Sequence, residues 1–110
     1  MVEVNLQIFI ARDGSTLLTP ERVQLLRLIQ AGGSLHMAAK ESKISYNKAW
    51  KMIDAMNTAT QKTIVEKTRG GSGGGGTALT SFGELILSEY NSIEKEVKIF
   101  NDKINNEIRM

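Results

Sequence analysis

Apolar and polar residues alternate at the start of the chain, with Leu6, Ile8 and Ile10 on one side and Gln7 and Phe9 on the other. A period of two predicts a half-buried strand. Asp13-Gly14 follows, a pair suited to a tight hairpin turn because both residues tolerate positive φ, and Thr16-Leu17-Leu18 reads as a short return strand. The period then becomes helical: Val23, Leu25, Leu26, Leu28 and Ile29 form a broad apolar face. Thr19 can cap the orphan amides of this helix, and Pro20 costs nothing at its first position. Leu18 and Val23 are spaced for a hydrophobic staple, and Gly32-Gly33 ends the helix.

Ser34 caps a second, short helix over Leu35–Ser42, whose inner face is Leu35, Ala38 and Ala39. Its alanines let another helix approach closely. After a break at Lys43-Ile44, Ser45 caps a third helix from about Tyr46 to Asn57. Ala49, Ile53 and Met56, flanked by Met52, define its buried stripe. Tyr46, Asn47, Lys48, Lys51 and Asp54 occupy the opposite face.

A strand over Thr63–Thr68, a glycine-rich run from Arg69 to Gly76 and a return strand Thr77-Ala78-Leu79 make a second hairpin. The last helix begins either at Ser81, in a capping box with Glu84, or with Thr80 as its cap. Ile86, Tyr90, Ile93, Val97, Phe100, Ile104 and Ile108 then repeat at intervals of three and four, close to a heptad seam. Such a helix is about 40 Å long at 1.5 Å per residue, too long for so small a domain to cover. Its seam calls for a partner, most simply the same helix of a second copy. The alternative is an amphipathic helix that covers only its own domain.

The order of elements predicts an α+β, mostly α fold: a winged helix-turn-helix over residues 1–110, with an N-terminal β-hairpin, a helix-turn-helix at 34–57, a glycine-rich wing at 63–79 and a long dimerisation helix at 81–108. In that fold the second helix braces the third, whose N-terminal residues enter the major groove of double-stranded DNA. The candidate contacts are Ser45, Tyr46, Asn47, Lys48 and Lys51, with Asn47 suited to pair bidentately with adenine. Their bland counterpart is a solvated helix face. Trp50 lies beside the buried stripe and is expected to pack against the wing or the first helix.

Charge sharpens this reading. The chain has 110 residues and a net charge of +2. Between Lys40 and Arg69, seven basic residues face only Glu41, Asp54 and Glu66, a local balance of +4, while the remainder carries −2. A concentrated basic face suits a polyanion, although a solvated lysine-rich surface looks the same on charge alone. The glycine-rich run is not a P-loop, because no Gly-Lys-Ser/Thr follows it. It resembles either a flexible linker or a wing whose bare backbone approaches phosphates; its place between two strands favours a wing, with Arg69, Gly71 and Gly73 as contacts.

Other classes of function find little support. No cysteine is present, which excludes disulfides and thiolate metal sites. His36 is the one histidine, no metal-ligand spacing occurs, and no cofactor or catalytic residue is assigned. No apolar run reaches the roughly eighteen residues of a membrane span, and no signal peptide opens the chain, so a cytoplasmic location is expected. The competing reading is a winged helix used as a protein–protein interaction module.

Ser45-Tyr46, Ala49-Trp50 and Met56-Asn57, with Gly70-Gly71-x-Gly73-Gly74-Gly75-Gly76 and Leu79-Thr80-x-x-Gly83, resemble the N-terminal domain of ModE, the family of molybdate-dependent transcriptional regulators. Gly33-Ser34 with Ala38-Ala39-Lys40 also fits, so the similarity runs from about Leu17 to Tyr90. The resemblance implies a winged helix-turn-helix related to that of LysR-type regulators. It also implies dimerisation through long helices including the last one (Ile86, Tyr90, Ile93, Val97, Phe100 and Ile104) and transcription regulation linked to molybdenum. Full members carry C-terminal molybdate-binding domains. This chain stops at Met110 and nothing in it maps onto an oxyanion pocket, so it is either a stand-alone relative or a fragment, with no small-molecule effector site expected in it.

Overall fold

The computed structural model describes residues 1–68 and 76–110. The wing residues Arg69, Gly71 and Gly73 lie outside them. Strands β1 (Ile10–Arg12) and β2 (Ser15–Leu18) form an antiparallel hairpin. Its turn is the expected Asp13-Gly14, with both residues at positive φ (49° and 82°). Three helices follow: α1 (Pro20–Gly32), α2 (Leu35–Glu41) and α3 (Tyr46–Thr60). A second antiparallel hairpin, β3 (Val65–Thr68) and β4 (Gly76–Leu79), leads into the long α4 (Ser81–Glu107). The architecture is the α+β winged helix that the pattern of elements predicts.

The caps are those the sequence advertises. Thr19, Ser34 and Ser45 each accept a hydrogen bond from the backbone N–H three residues on, in Arg22, Met37 and Lys48. Each satisfies one of the free amides that every helix start leaves. Gly33 ends α1 in the left-handed region (φ 66°) and donates to Ile29 O at 2.7 Å, the geometry in which glycine avoids a Cβ penalty. Its own carbonyl accepts from Thr77 N at 3.0 Å, which ties the end of α1 to the wing. Of the two caps open for α4, Thr80 is the one used: its hydroxyl accepts from Gly83 N at 3.0 Å.

One core joins these elements. Val23, Leu25, Leu26 and Ile29 of α1 meet Leu35, Ala38 and Ala39 of α2, Ala49, Ile53 and Met56 of α3, and Leu87 and Tyr90 of α4. Ile64, Val65 and Leu79 close it beneath the wing.

Three details depart from the sequence expectation. First, helix α3 does not stop at Asn57 but runs to Thr60. The Thr60 side chain is buried and donates back to backbone carbonyls of the last turn, while Asn57 Oδ1 accepts from Ile64 N at 2.7 Å. The asparagine therefore anchors the following segment instead of ending the helix. Second, β3 starts at Val65, not Thr63, because the carbonyls of Thr63 and Ile64 are taken by Thr80 at the start of α4.

The third is a correction to the N-terminal strand. Only Ile10 of the alternating residues belongs to β1, and residues 4–8 are not paired in a sheet. They lie along α4, held by two asparagines one turn apart. Val4 N–H donates to Asn105 Oδ1 (2.6 Å) and Leu6 N–H to Asn101 Oδ1 (2.8 Å). The side-chain amides of Asn101 and Asn105 both donate to Val4 O (3.0 and 2.9 Å). A carboxamide carries both a donor and an acceptor, so it can replace a neighbouring strand as the partner of extended backbone.

Candidate nucleic-acid interface

Helix α2 crosses α3 through Leu35, Ala38 and Ala39, all buried. The connection is tight. Ser42 N and Ile44 N donate to Ala38 O and Ala39 O, and Lys43 takes a left-handed conformation (φ 59°) that turns the chain. Because Ala49, Ile53 and Met56 face inward, the helical pitch places Asn47, Lys48, Lys51 and Asp54 outward, and all four are exposed. Ser45 and Tyr46 complete the surface at the N-terminal end of α3. The five candidate residues Ser45, Tyr46, Asn47, Lys48 and Lys51 thus share one end and face of one helix. The Ser45 hydroxyl accepts from Lys48 N and keeps its own proton available for an outside acceptor.

Tyr46 is not a free side chain. Its ring stacks on that of His36, centroids 4.0 Å apart and planes within 4°, and stands edge-on to Trp50 at 6.2 Å. Trp50 is half-buried, and the Lys67 ammonium of β3 sits 4.9 Å above its ring. Trp50 therefore packs toward the wing, as its place beside the buried stripe suggested. Sequence reasoning missed His36 and Lys67 as members of this cluster. The Tyr46–Trp50 spacing of four was the visible signal, but stacking between two helices and a strand leaves no periodicity to read.

The ion pairs are distributed unevenly. Among the described residues they are Arg12–Asp13, Arg27–Glu94 and Lys98–Asp102. None involves Lys40, Lys43, Lys48, Lys51, Lys62 or Lys67. The basic surface of the helix-turn-helix and wing strand is thus not neutralised by its own carboxylates. No group of three His, Asp or Glu side chains that could hold a metal ion occurs among the described residues. None of the described helices is long and apolar enough to cross a membrane.

The seam residues of α4 divide between two environments. Tyr90 is buried and Ile86, Val97 and Ile104 are half-buried, whereas Ile93 and Phe100 remain 39% and 56% exposed. The Tyr90 hydroxyl donates to Ile8 O at 3.4 Å, and its ring meets the Arg27 guanidinium at 5.9 Å. Burial pushes the phenol pKa up from its ordinary value, the Glu94 carboxylate adds to the rise, and Arg27 opposes it.

No protein-family model matches the chain. Individual relatives do. A transcriptional regulator ModE of Haemophilus influenzae is 45% identical over 76 residues, 69% of this chain and 30% of the relative. The Escherichia coli K12 protein described as a DNA-binding transcriptional dual regulator ModE is 41% identical over 71 residues, 64% of this chain and 27% of its own length. The chain carries a ModE-family domain. A molybdenum transport protein ModE of Azotobacter vinelandii extends the similarity to 92 residues at 38% identity, 84% of this chain and 34% of that protein. The ModE-family domain thus spans about a third of the length of the curated relatives it matches.

Proposed function

We propose that this ModE-family domain binds double-stranded DNA as a homodimer and regulates transcription in the cytoplasm, with targets linked to molybdenum. The observation that carries the reading is the outer face of α3, where Asn47, Lys48 and Lys51 are exposed beside the Ser45 cap and no carboxylate among the described residues pairs with them. Asn47 offers a bidentate amide to adenine; Lys48 and Lys51 reach guanine or phosphate. Ser45 and Tyr46 contact the backbone at the helix start, and Arg69, Gly71 and Gly73 of the wing contact it alongside. Helix 81–108 provides the second-copy contact through its open residues Ile93 and Phe100. The relatives are named as regulators and as a molybdenum transport protein, which supports the same reading and speaks against an enzyme.

The test is selection from a randomised duplex library at near-physiological salt. Two recognition helices related by a two-fold axis should enrich a pseudo-palindrome with half-sites about one helical turn, or a multiple of it, apart. On the enriched site, Asn47→Ala should relax preference at one base pair by roughly 1–3 kcal/mol, and Lys51→Ala should weaken binding to every sequence. Absence of any enriched symmetric motif, with binding that vanishes as salt rises, would overturn the proposal.

A further inference from the structure

Between the first turns of α2 and α3 and the wing hairpin lies a groove of about 260 Å³, lined by His36, Tyr46, Trp50, Lys67, Thr68 and Thr77 among others. Its walls combine three chemistries. His36 and Tyr46 form one stacked pair and Trp50 stands edge-on to it, which makes an apolar wall. Lys67 supplies a cation held over the Trp50 ring at 4.9 Å, with no carboxylate partner among the described residues. Thr77, directly across the hairpin from Lys67, is only 6% exposed, and its hydroxyl oxygen is buried without a hydrogen-bond partner among the described residues. Native proteins seldom leave a buried polar atom unsatisfied, so this hydroxyl in the groove wall is available to a group that enters the groove.

We propose that this groove seats one phosphodiester of the DNA duplex, with Lys67 as its cation, Thr77 as a hydroxyl donor and Trp50 as the residue that positions Lys67. The proposal rests on the DNA-binding reading above and adds residues to it. A lysine on a tryptophan face keeps its N–H groups free for an anion while its position is fixed by the ring, whereas a carboxylate partner would spend them. Lysine binds phosphate as a point charge. The aromatic wall suits the apolar edge of a deoxyribose, and the exposed His36 ring offers a further N–H at the rim. The location fits as well. With α3 in the major groove, the strand backbone that borders it passes between the helix start and the wing.

The experiment is the salt dependence of duplex binding by the wild-type chain and by Lys67→Gln, Lys67→Arg, Trp50→Phe and Trp50→Leu, with the emission of Trp50, the one tryptophan, followed in the wild type and the two Lys67 variants. If Lys67 neutralises one phosphate per protomer, Lys67→Gln should lower the slope of log K against log salt by about 0.9 per protomer, close to eightfold in affinity at 0.1 M salt. Lys67→Arg should restore the slope. Trp50→Phe should keep it, and Trp50→Leu should lose it while melting as a folded protein. Duplex should change Trp50 emission, and inorganic phosphate or a free mononucleotide at millimolar concentration should not. A wild type that binds duplex with a steep slope, and a Lys67→Gln variant identical to it, would overturn the seat and leave the DNA-binding reading intact. A wild type that binds no duplex would overturn both. A Trp50 response to free phosphate equal to that with duplex would overturn the duplex assignment in favour of a small-anion site.

Discussion

Replacing Gly83 with alanine should damage this fold far more than a methyl group suggests. Gly83 lies in the first turn of α4, where the helix meets the backbone just before β3. A Cβ built there would fall 2.2 Å from the carbonyl oxygen of Ile64, 3.0 Å from Ile64 Cγ2 and 3.1 Å from the carbonyl carbon. Carbon and oxygen normally approach no closer than about 3.3 Å, so helix and strand must part by about 1 Å. The oxygen in question is also the acceptor for Thr80 N at 2.9 Å, which cannot follow without loosening the cap. Overpacking of this kind costs about 1–3 kcal/mol, and the strained hydrogen bond to a buried carbonyl adds about 1 kcal/mol. The better helix propensity of alanine returns about 1 kcal/mol. The balance is a loss of about 2 kcal/mol, or roughly 8–16 °C in melting temperature for a domain of this size. Circular dichroism melts at fixed protein concentration measure it, since self-association would otherwise shift the midpoint. Gly32→Ala is the control: nothing lies within 4 Å of its added Cβ. A Gly83→Ala protein that melts at or above wild type would refute the packing argument.

Two further outcomes follow from the N-terminal segment and its anchor. The double change Asn101→Ala, Asn105→Ala removes every hydrogen bond that α4 side chains make to Val4 and Leu6. Exchange at those two amides should rise to nearly unprotected rates while α3 stays protected; unchanged protection would show that apolar packing alone holds the segment. Tyr90 sets an alkaline limit. Its phenol pKa is raised in the folded chain, so folding favours the neutral form. That contribution is complete below the unfolded value of about 10 and is lost as pH rises through the folded one. Wild type should therefore lose more stability than Tyr90→Phe between pH 8 and pH 11 in urea titrations, and equal losses would count against the assignment.

Much of the fold is legible because its signals are local. Thr19, Ser34 and Ser45 cap helices from adjacent positions, Asp13-Gly14 supplies two positive-φ residues to one turn, and the stripe Ala49, Ile53, Met56 fixes which face of α3 looks outward. The failures share a cause. Alternation at Leu6, Ile8 and Ile10 records extended backbone, not the identity of its hydrogen-bond partner: Leu6 bonds Asn101 on a helix distant in sequence, Ile8 meets Tyr90 of the same helix, and only Ile10 pairs with a strand. The spacing on α4 predicts one continuous seam, yet Tyr90 is spent on its own domain's core. In the candidate interface, the exposed α3 residues follow from helical pitch alone. The His36–Tyr46–Trp50–Lys67 cluster joins three elements, and only the tertiary fold brings them together.

The asparagine anchor also makes the chain nearly a ring. With Val4 bonded to Asn105, both ends of the polypeptide emerge at the same corner, the C-terminal tip of α4. Neighbouring ends are the condition under which circular permutation and domain insertion succeed. The order in which these elements are written in the gene is therefore close to arbitrary for the architecture: a short link from Met110 to Met1 and a cut at Asp13-Gly14 would leave every helix and the core in place. By the same geometry, any polypeptide attached at either end would begin from that one corner and pull on one pair of asparagines.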